Sequence, residues 1–429
     1  MKKYIIPDKS KWPEMLSRPT HSFEDIEHRV KEVFDELKTN ADDSIRKYTA
    51  KFDGVELTDF KVSKAEIQKA STMVSDALKD AIKLAKENIE IFHSAQATAK
   101  VAVETMPGVK CWQEKRPIQK VGLYIPGGTA PLFSTILMLA VPATIAGCQE
   151  IVLCSPPDSD GKIHPAILYT ANLCGVTQIF KVGGIQAIAG MTFGTESIPN
   201  VFKLFGPGNQ YVTVAKQIAT TFGVAIDMPA GPSELLVVAD DTANAAFLAS
   251  DLLSQAEHGV DSQVVLVSTS EEMIAKVELE IEHQLVRLPR KEIATKAMEN
   301  SRLIYVEDDD TALEIINFYG PEHYIVCMAN EDYYVQNTIN AGSVVIGNYT
   351  PESAGDYASG TNHTLPTNGY AKQYSGVNLD SFMKSMTFQK ISKEGIQTIG
   401  KAVETMAEAE GLQAHKNAVT LRLKELNGG

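Results

Sequence analysis

The chain has 429 residues, 44% of them hydrophobic, which is ordinary for a globular protein of two or three domains. Its 54 acidic and 40 basic side chains give a formal charge of −14, which argues against a nucleic-acid-binding protein because such proteins carry a basic surface. Five cysteines without a C-x-x-C pair favour a reducing compartment, and no signal peptide or membrane span is evident, so we expect a cytoplasmic protein with no membrane contact.

The N-terminal part is predicted to be an irregular arm followed by helices. Residues 1–21 contain three prolines and no regular period, which is typical of such an arm. From residue 23 to Leu37 apolar side chains recur every three or four positions, which indicates a helix. Ser63 and Glu66 form a predicted capping box, which starts a longer helical run that reaches Phe92.

Short apolar runs rich in β-branched residues alternate with helix-like stretches from residue 120 onward. This alternation is typical of parallel βαβ units. The predicted strands are Val121–Ile125, Ile151–Cys154, Gln178–Val182, Val201–Phe205, Leu235–Ala239, Val264–Ser268, Leu303–Val306, Tyr324–Met328 and Ser343–Ile346. Two successive α/β sheets fit these strands better than one very wide sheet, and the turn Met228–Ser233 is the predicted break between them.

A long polar segment and a helical tail follow the last predicted strand. Residues 347–376 are dense in Gly, Asn, Ser, Thr and Pro and have no regular period. A structureless segment of this length is usually functional or disordered, and its aromatic residues and histidine favour function. Residues 392–426 return to a helical pattern with an apolar stripe that needs a partner surface.

Two glycine-rich turns follow predicted strands, at Ile125–Pro131 and Gly206–Tyr211. Parallel sheets bind ligands at the carboxyl ends of their strands, where small residues let an anion approach backbone N–H groups at a helix start. Neither turn is a dinucleotide fingerprint, because the third glycine of G-x-G-x-x-G is missing and Pro207 fills a middle position. They are therefore either plain tight turns or an atypical nucleotide site.

Imidazole, carboxylate and amide groups offer candidate metal ligands. Gln255 and His258 lie three positions apart at a predicted helix end, so both side chains can face one point. Asp356 and His363 lie in the polar segment, and His415 lies on the C-terminal helix. This set suits Zn²⁺ or a similar divalent ion. The alternative is that these histidines are ordinary surface groups.

The dipeptide Glu322-His323 stands at the start of a predicted strand. Neighbouring ionisable side chains at such a position can act as general acid and base, because histidine titrates near neutral pH. The alternative is a solvated turn. Cys148 and Cys154 lie among apolar residues, which favours inert thiols over nucleophiles.

Seven segments resemble the histidinol dehydrogenase family, in the family's order and over residues 20–425. They are VGLYIPGGTAPLFSTILMLAVPA, KLFGPGNQYVTVAK, DMPAGPSELLV, LLSQAEHG, GPEHY, ESAGDYASGTNHTLPT and EGLQAHKNAV. The resemblance implies an α/β fold of two Rossmann-like domains in an aldehyde-dehydrogenase-like arrangement. It also implies an N-terminal arm (1–21), a first α/β domain with most of the metal and catalytic site (22–123 and 235–377), an NAD-binding domain (124–234) and a helical C-terminal dimerisation segment (378–429).

The same resemblance implies the site residues. One zinc ion per subunit would be bound by Gln255, His258, Asp356 and His415. The acid–base pair would be Glu322 and His323. The substrate would contact Ser233, Gln255, His258, His323, Asp356, His363, Glu410 and His415. The weakly bound NAD would contact Tyr124, Gln186 and Asn209.

The implied reaction is the four-electron oxidation of L-histidinol to L-histidine through L-histidinaldehyde, with two NAD⁺, at the end of histidine biosynthesis. The family is a homodimer in which Glu410 and His415 complete the site of the partner subunit. Two alternatives are a related NAD-dependent dehydrogenase of another small alcohol and a catalytically silent metal-binding regulatory protein. The presence of the Glu322-His323 pair and of every expected ligand favours the dehydrogenase of histidinol.

Overall fold

The structure, a computed structural model, describes residues 1–19, 23–127, 131–229 and 231–428. These residues form three β-sheets and two compact units. The first unit comprises residues 1–96 and 118–382 and holds two parallel sheets, whereas the second comprises residues 97–117 and 383–429.

The strands of the described residues, in chain order, are β1 Lys2–Ile5, β2 Val101–Met106, β3 Val109–Pro117, β4 Lys120–Tyr124, β5 Glu150–Ser155, β6 Gln178–Lys181, β7 Lys203–Phe205, β8 Ala225–Ile226, β9 Glu234–Ala239, β10 Gln263–Ser268, β11 Arg302–Tyr305, β12 His323–Cys327, β13 Ser343–Ile346 and β14 Met383–Ile391. Every one of the predicted strands is present, with ends shifted by at most two residues.

The α-helices of the described residues are α1 Trp12–Met15, α2 Phe23–Phe52, α3 Lys64–Met73, α4 Asp76–Ala95, α5 Phe133–Ala146, α6 Pro165–Leu173, α7 Gly184–Phe193, α8 Gln210–Thr221, α9 Ala245–Ala256, α10 Glu271–Leu285, α11 Lys291–Glu299, α12 Asp309–Tyr319, α13 Glu331–Asn337, α14 Glu352–Tyr357, α15 Lys393–Ala409 and α16 Gln413–Leu426. None of them combines the length and the apolar character that crossing a bilayer requires.

Two all-parallel sheets organise the first unit and confirm the predicted Rossmann-like α/β fold. The five-stranded sheet has the order β6-β5-β4-β7-β8, and the six-stranded sheet has the order β1-β11-β10-β9-β12-β13. Strands β9 and β10 are buried over their whole length, which explains why they read as continuous apolar runs rather than alternating ones. Their side chains form the centre of the apolar core of the six-stranded sheet.

The expectation of an irregular arm at residues 1–21 is wrong for most of its length. Strand β1 pairs in parallel with β11, and Trp12 is only 3% exposed in the core of the six-stranded sheet. The prolines misled the prediction, because Pro13 occupies the first turn of α1, where a missing N–H costs nothing.

Helix α2 packs on the five-stranded sheet. Its buried Val30 and Phe34 share a core with Val152 and Ile188. The predicted domain boundaries assigned this helix to the domain of the other sheet, which differs from this packing; the remaining boundaries stay a prediction.

The helix ends follow local capping chemistry. The predicted capping box is confirmed, because Ser63 caps α3 and the Glu66 side chain returns to the Ser63 N–H. The single long run predicted here is wrong: it breaks at Val74, and Ser75 caps a separate helix, α4. The long polar segment is ordered around α14 and a short 3₁₀ turn at Tyr370–Lys372.

The second unit contains an antiparallel sheet that the sequence analysis did not predict. Its order is β14-β3-β2, and Trp112 of β3 stacks on Phe388 of β14 with ring centroids 5.2 Å apart. The predicted helical tail is confirmed as α15 and α16, which pack together where Gly400 leaves room for Leu423.

Candidate functional site

A cavity of about 350 Å³ lies between the two parallel sheets of the first unit. One wall comes from the carboxyl ends of β4 and β7, with Pro126 and the turn Gly206–Asn209. The opposite wall comes from the amino ends of β9 and β12, with Ser233, Glu322 and His323. We call these the turn wall and the acid–base wall.

The neighbouring glycine and proline residues position Glu322 and His323 at the start of β12. Gly320 ends α12 in the left-handed conformation, with φ of 63°, and Pro321 follows it. A Cβ on Gly342 would lie 2.5 Å from the carbonyl oxygen of Glu322, so only glycine allows the neighbouring strand to approach this closely. The pair is therefore held rigidly and is buried.

The Glu322 carboxyl group is hydrogen-bonded on the side of β9. Its Oε2 accepts from the backbone N–H of Glu234 at 2.8 Å and from Gln255 Nε2 at 3.4 Å. Burial raises the pKa of Glu322 well above its usual value, and the nearby carboxyl groups of Glu234 and Asp356 raise it further. A carboxylate with a raised pKa is a stronger base than an exposed one, as water activation requires.

The His323 imidazole faces three carboxyl groups. Its Nε2 lies 3.6 Å from Glu352 Oε1, 3.8 Å from Glu322 Oε1 and 4.0 Å from Asp356 Oδ1. Burial lowers the pKa of His323 to about 3, and the neighbouring imidazoles of His363 and His258 lower it further. The ring is therefore neutral at neutral pH and can accept a proton.

The site contains buried oxygen atoms without a partner, which is what a cation site requires. Oδ1 of Asp356 and Oε2 of Glu352 have no hydrogen-bond partner among the described residues. His323, Glu352 and Asp356 offer ligand atoms within 4.8 Å of one another. Burial raises the pKa of Asp356 to about 7, because a carboxylate charge is poorly solvated inside the protein.

The end of α9 adds further donor atoms of the expected kind. Gln255 uses its Nε2 to donate to the Glu234 carbonyl at 3.2 Å, which leaves Oε1 free of that bond. His258 lines the same cavity. Amide oxygen, imidazole and carboxylate together fit a divalent ion such as Zn²⁺.

His363 is fixed in one tautomer. Its Nδ1 lies 2.9 Å from the backbone carbonyl of Asp356, so Nδ1 carries the proton and donates it. Its Nε2 lies 3.3 Å from Thr135 Oγ1 and accepts from that hydroxyl. The surrounding protein screens the ring from water and lowers the pKa of His363 to about 4, so it presents a neutral acceptor to the cavity.

The turn wall offers backbone and amide groups, and its titratable side chains Lys216 and Asp227 are paired with each other. Asn209 caps α8, because its Oδ1 accepts from the Val212 N–H at 3.2 Å, and its amide group borders the cavity. Tyr124, at the end of β4, accepts from the Gly184 N–H at 3.1 Å. Buried Gln186 donates to Asp53 Oδ2 at 3.1 Å and leaves its own Oε1 without a partner among the described residues.

Most residues that the sequence singled out come together here. Those that line the cavity are Asn209, Ser233, Gln255, His258, Glu322, His323, Asp356 and His363. Tyr124 and Gln186 are buried at the carboxyl edge of the five-stranded sheet. In the first glycine turn, residues 128–130 lie outside the described residues, as does residue 230 of the predicted break.

Two expected residues lie in the second unit. Glu410 follows α15 and His415 lies in the first turn of α16, and both are exposed. Their roles in substrate and zinc binding stay predictions.

Glu352 is a site residue that was not predicted, whereas the prediction of inert cysteines agrees with their burial. Glu352 lies one helical turn before Asp356 on α14, so the four-residue spacing was a signal that both carboxyl groups share a face. Cys154 is fully buried, and burial raises the pKa of the Cys148 thiol to about 12. These thiols are not nucleophiles, as predicted.

Comparison with known proteins shows the family of this chain. The family described as histidinol dehydrogenase matches residues 16–423. The histidinol dehydrogenase of Bacteroides thetaiotaomicron is 59% identical over 426 residues, which cover 99% of this chain and 100% of the relative. That of Escherichia coli is 54% identical, with 96% of this chain and 95% of the relative covered.

A solved structure extends the agreement to the fold. The crystal structure of histidinol dehydrogenase from Elizabethkingia anophelis has a TM-score of 0.97 and 56% identity, and the match covers 100% of this chain and 99% of that one. The chain is therefore an NAD-dependent oxidoreductase that belongs to the histidinol dehydrogenase family.

Proposed function

We propose that the chain oxidises L-histidinol to L-histidine through L-histidinaldehyde and reduces two NAD⁺, in the last steps of histidine biosynthesis. The observation that carries this proposal is the cavity itself, in which Glu322 and His323 stand opposite the Gly206–Asn209 turn. A proton acceptor and a nucleotide-binding turn that share one cavity are what hydride transfer from an alcohol requires.

We further propose one zinc ion per subunit, held by Gln255, His258 and Asp356 of one copy and by His415 of a second copy. The buried, unpartnered Asp356 Oδ1 supports this assignment, because a carboxylate oxygen without hydrogen bonds is poorly stabilised unless a cation meets it. When bound, the ion supplies positive charge that orients the nitrogen-rich end of histidinol.

In the first oxidation, His323 accepts the proton of the substrate hydroxyl group. The carbon that bears this hydroxyl loses a hydride to NAD⁺, which gives histidinaldehyde, NADH and the imidazolium of His323. The His323 ring is neutral and can accept this proton, and the Glu322, Glu352 and Asp356 carboxyl groups lie within 4.0 Å of its Nε2.

In the second oxidation, Glu322 accepts a proton from water, and the hydroxide adds to the aldehyde carbon. The His323 imidazolium gives its proton to the resulting alkoxide, which completes the hydrate and returns the ring to its neutral form. His323, having released its first proton, accepts a proton from one hydroxyl group of the hydrate. The carbon gives a second hydride to a new NAD⁺, and the product is the carboxylic acid. Ser233, His363 and Glu410 would position the substrate, and Tyr124, Gln186 and Asn209 would bind NAD.

The assembly in this proposal is a homodimer with shared sites. Glu410 and His415 lie in a different compact unit from the cavity residues, so a second copy of the chain could supply them. We also propose a cytoplasmic location, which the five free cysteines support.

The decisive experiment counts NADH per L-histidinol in the purified protein, together with zinc per subunit. We expect two NADH per histidinol consumed and one zinc per chain, and no NADH from other small alcohols tested in parallel. One NADH per histidinol, or none, would contradict the two-step proposal, and a metal-free active protein would contradict the zinc assignment.

The shared site has its own experiment. A His415→Ala variant and a Glu322→Gln variant, each impaired alone, are mixed under conditions that exchange subunits. One hybrid site then keeps every required group, so we expect part of the activity to return. Heterodimers that form without any recovery would contradict sharing.

A further inference from the structure

A buried ion pair lies beneath the second glycine turn. Lys216 is on α8, and Asp227 directly follows β8. Their side chains are 3% and 1% exposed, and the ammonium group contacts the carboxylate. No step of the proposed reaction uses either group.

The pair holds both polar backbone groups of one residue, Gly206. The Gly206 N–H donates to Asp227 Oδ2 at 2.8 Å, and the Gly206 carbonyl accepts from Lys216 Nζ at 2.8 Å. The other carboxylate oxygen, Asp227 Oδ1, accepts from the Met228 N–H at 2.7 Å. The turn is thereby attached to both α8 and the end of β8.

Steric contacts restrict the same turn from the other side. Gly206 has φ of +130°, and a Cβ on it would lie 2.1 Å from the carbonyl oxygen of Tyr124. A Cβ on Gly208 would lie 2.5 Å from the Val212 side chain. Hydrogen bonds therefore hold Gly206, and close packing leaves no room for a side chain at positions 206 and 208.

Stability alone is a weak reason to bury this pair. Apolar residues of similar volume in place of a buried ion pair are often neutral or stabilising. The pair does, however, border the cavity together with Gly206, Gly208 and Asn209. A turn that is already ordered loses less entropy when a ligand binds, which raises affinity without any new contact.

We propose that Lys216 and Asp227 are positioning residues for NAD. They hold Gly206 so that the turn and the Asn209 amide are preset for the cofactor. This inference rests on the proposed binding of NAD at the turn wall.

The test asks whether a substitution weakens nucleotide binding without changing kcat or the KM for histidinol. In Lys216→Met, we expect the KM for NAD⁺ and the Kd for NADH, measured by fluorescence titration, to rise about tenfold. The kcat and the KM for histidinol should stay within about twofold, since the acid–base wall is untouched. A general loss of structure would instead change all constants together.

Lys203→Met is the matched control. Lys203 is on β7 of the same sheet, and its ammonium also donates to a backbone carbonyl, that of Ser381 at 2.8 Å, but it does not border the cavity. We expect its NADH affinity to equal that of the parent. An equal loss of affinity in Lys203→Met would overturn the inference.

Two further variants decide the outcome if Lys216→Met fails to fold. The double variant Lys216→Met/Asp227→Asn removes both charges, so it leaves no unpaired buried ion, and it should melt near the parent with the NADH affinity still lowered. Lys216→Arg keeps a donor and a charge and should recover part of the affinity. Parent-like affinity in the folded double variant would overturn the inference.

The inference and the proposed function fail separately. If the parent yields NADH from histidinol while these variants bind NADH normally, only the inference is wrong. If the parent yields no NADH from histidinol, the proposed function is wrong, and the NADH titration still decides the role of the ion pair.

Discussion

The two walls of the cavity differ in the strand ends that form them and in the chemical groups that they present. The turn wall stands at the carboxyl ends of its strands, uses backbone groups, and contains the buried ion pair of Lys216 and Asp227. The acid–base wall stands at the amino ends of its strands and collects imidazole and carboxyl groups whose pKa values burial shifts strongly. In the proposed function, the turn wall therefore binds the nucleotide through its shape, whereas the acid–base wall transfers protons.

This division predicts that substitutions on the acid–base wall change turnover and leave nucleotide affinity alone. The largest effect is expected for His323→Asn, which removes the proton acceptor of both oxidations. We expect kcat to fall about 10³-fold, as is typical when a general base is lost. Steady-state kinetics, zinc analysis and NADH titration check this: lost zinc or weakened NADH binding would contradict the division.

Glu322→Gln should separate the two oxidations, because only the second one uses Glu322 in the proposed reaction. An amide cannot accept the proton of water, so oxidation of added histidinaldehyde should slow about 10²-fold. Oxidation of histidinol in its first turnover should slow less than about tenfold, because His323 remains. Single-turnover rates for the two substrates measure this, and equal damage to both would argue against separate roles.

Arg18→Met tests how the acid–base wall is supported. Arg18 forms a bidentate, buried ion pair with Glu234, with Nε at 2.5 Å and Nη2 at 2.9 Å, and the Glu234 N–H holds Glu322. The variant leaves a buried carboxylate unpaired, so the free energy of unfolding should fall by about 3 kcal/mol.

Lys9→Met is the control for that variant in the same N-terminal segment. The Lys9–Glu314 pair is 71% and 58% exposed, and such pairs contribute less than about 1 kcal/mol. Denaturant unfolding of both variants gives the two values. A similar small loss in each would mean that the Arg18 pair does not support the wall.

Asp53→Asn probes the turn side and has the smallest expected effect. Burial raises the pKa of Asp53 to about 6, so its stabilising contribution is present below pH 4 and is lost as the pH rises through 6. Asparagine still accepts from Gln186 but carries no charge at either pH. The free energy of unfolding of the variant, compared with that of the parent, should therefore be about 1 kcal/mol higher at pH 7.5 than at pH 4, after allowance for partial exposure.

Urea unfolding at the two pH values measures this difference. Asp43→Asn, an exposed position on α2, should change the free energy of unfolding by less than about 0.5 kcal/mol at both. A gain for Asp53→Asn that is equal at pH 4 and pH 7.5 would contradict the titration of Asp53.

The sequence was most informative where structure is local. Buried strands such as β9 are continuous apolar runs, and Ser63 with Glu66 marks a helix start by direct contact across three residues. The sheet of β2, β3 and β14 was missed because all of β2 is exposed, so its mainly apolar sequence shows no alternation between a buried and an exposed face. Strand β1 was missed because it has only four residues and its pairing partner, β11, is far away in the sequence.

The site was predictable only in part for the same physical reason. The spacing of Gln255 and His258 on one helix predicts a shared direction, but nothing local brings α9, β12 and α14 together. Glu352 meets His323, 29 positions earlier, through tertiary packing alone. The hydrogen bonds of Lys216 and Asp227 to Gly206 likewise depend on tertiary packing, because these residues come from α8, the end of β8 and the turn after β7. The family resemblance implied roles for residues that spacing alone left open, but it named neither Glu352 nor Lys216 and Asp227.

The pairing of β1 with β11 has a consequence for the order of folding. Lys2 pairs with Arg302. Strand β1 is therefore synthesised about 300 residues before β11, and it cannot pair until β11 has been made. Until then β1 is an unpaired segment, and afterwards it covers the open edge of β11. Removing residues 2–5 would expose that edge and invite association between copies through strand pairing. A bulky fusion placed before residue 2 should therefore slow maturation more than one placed after residue 428.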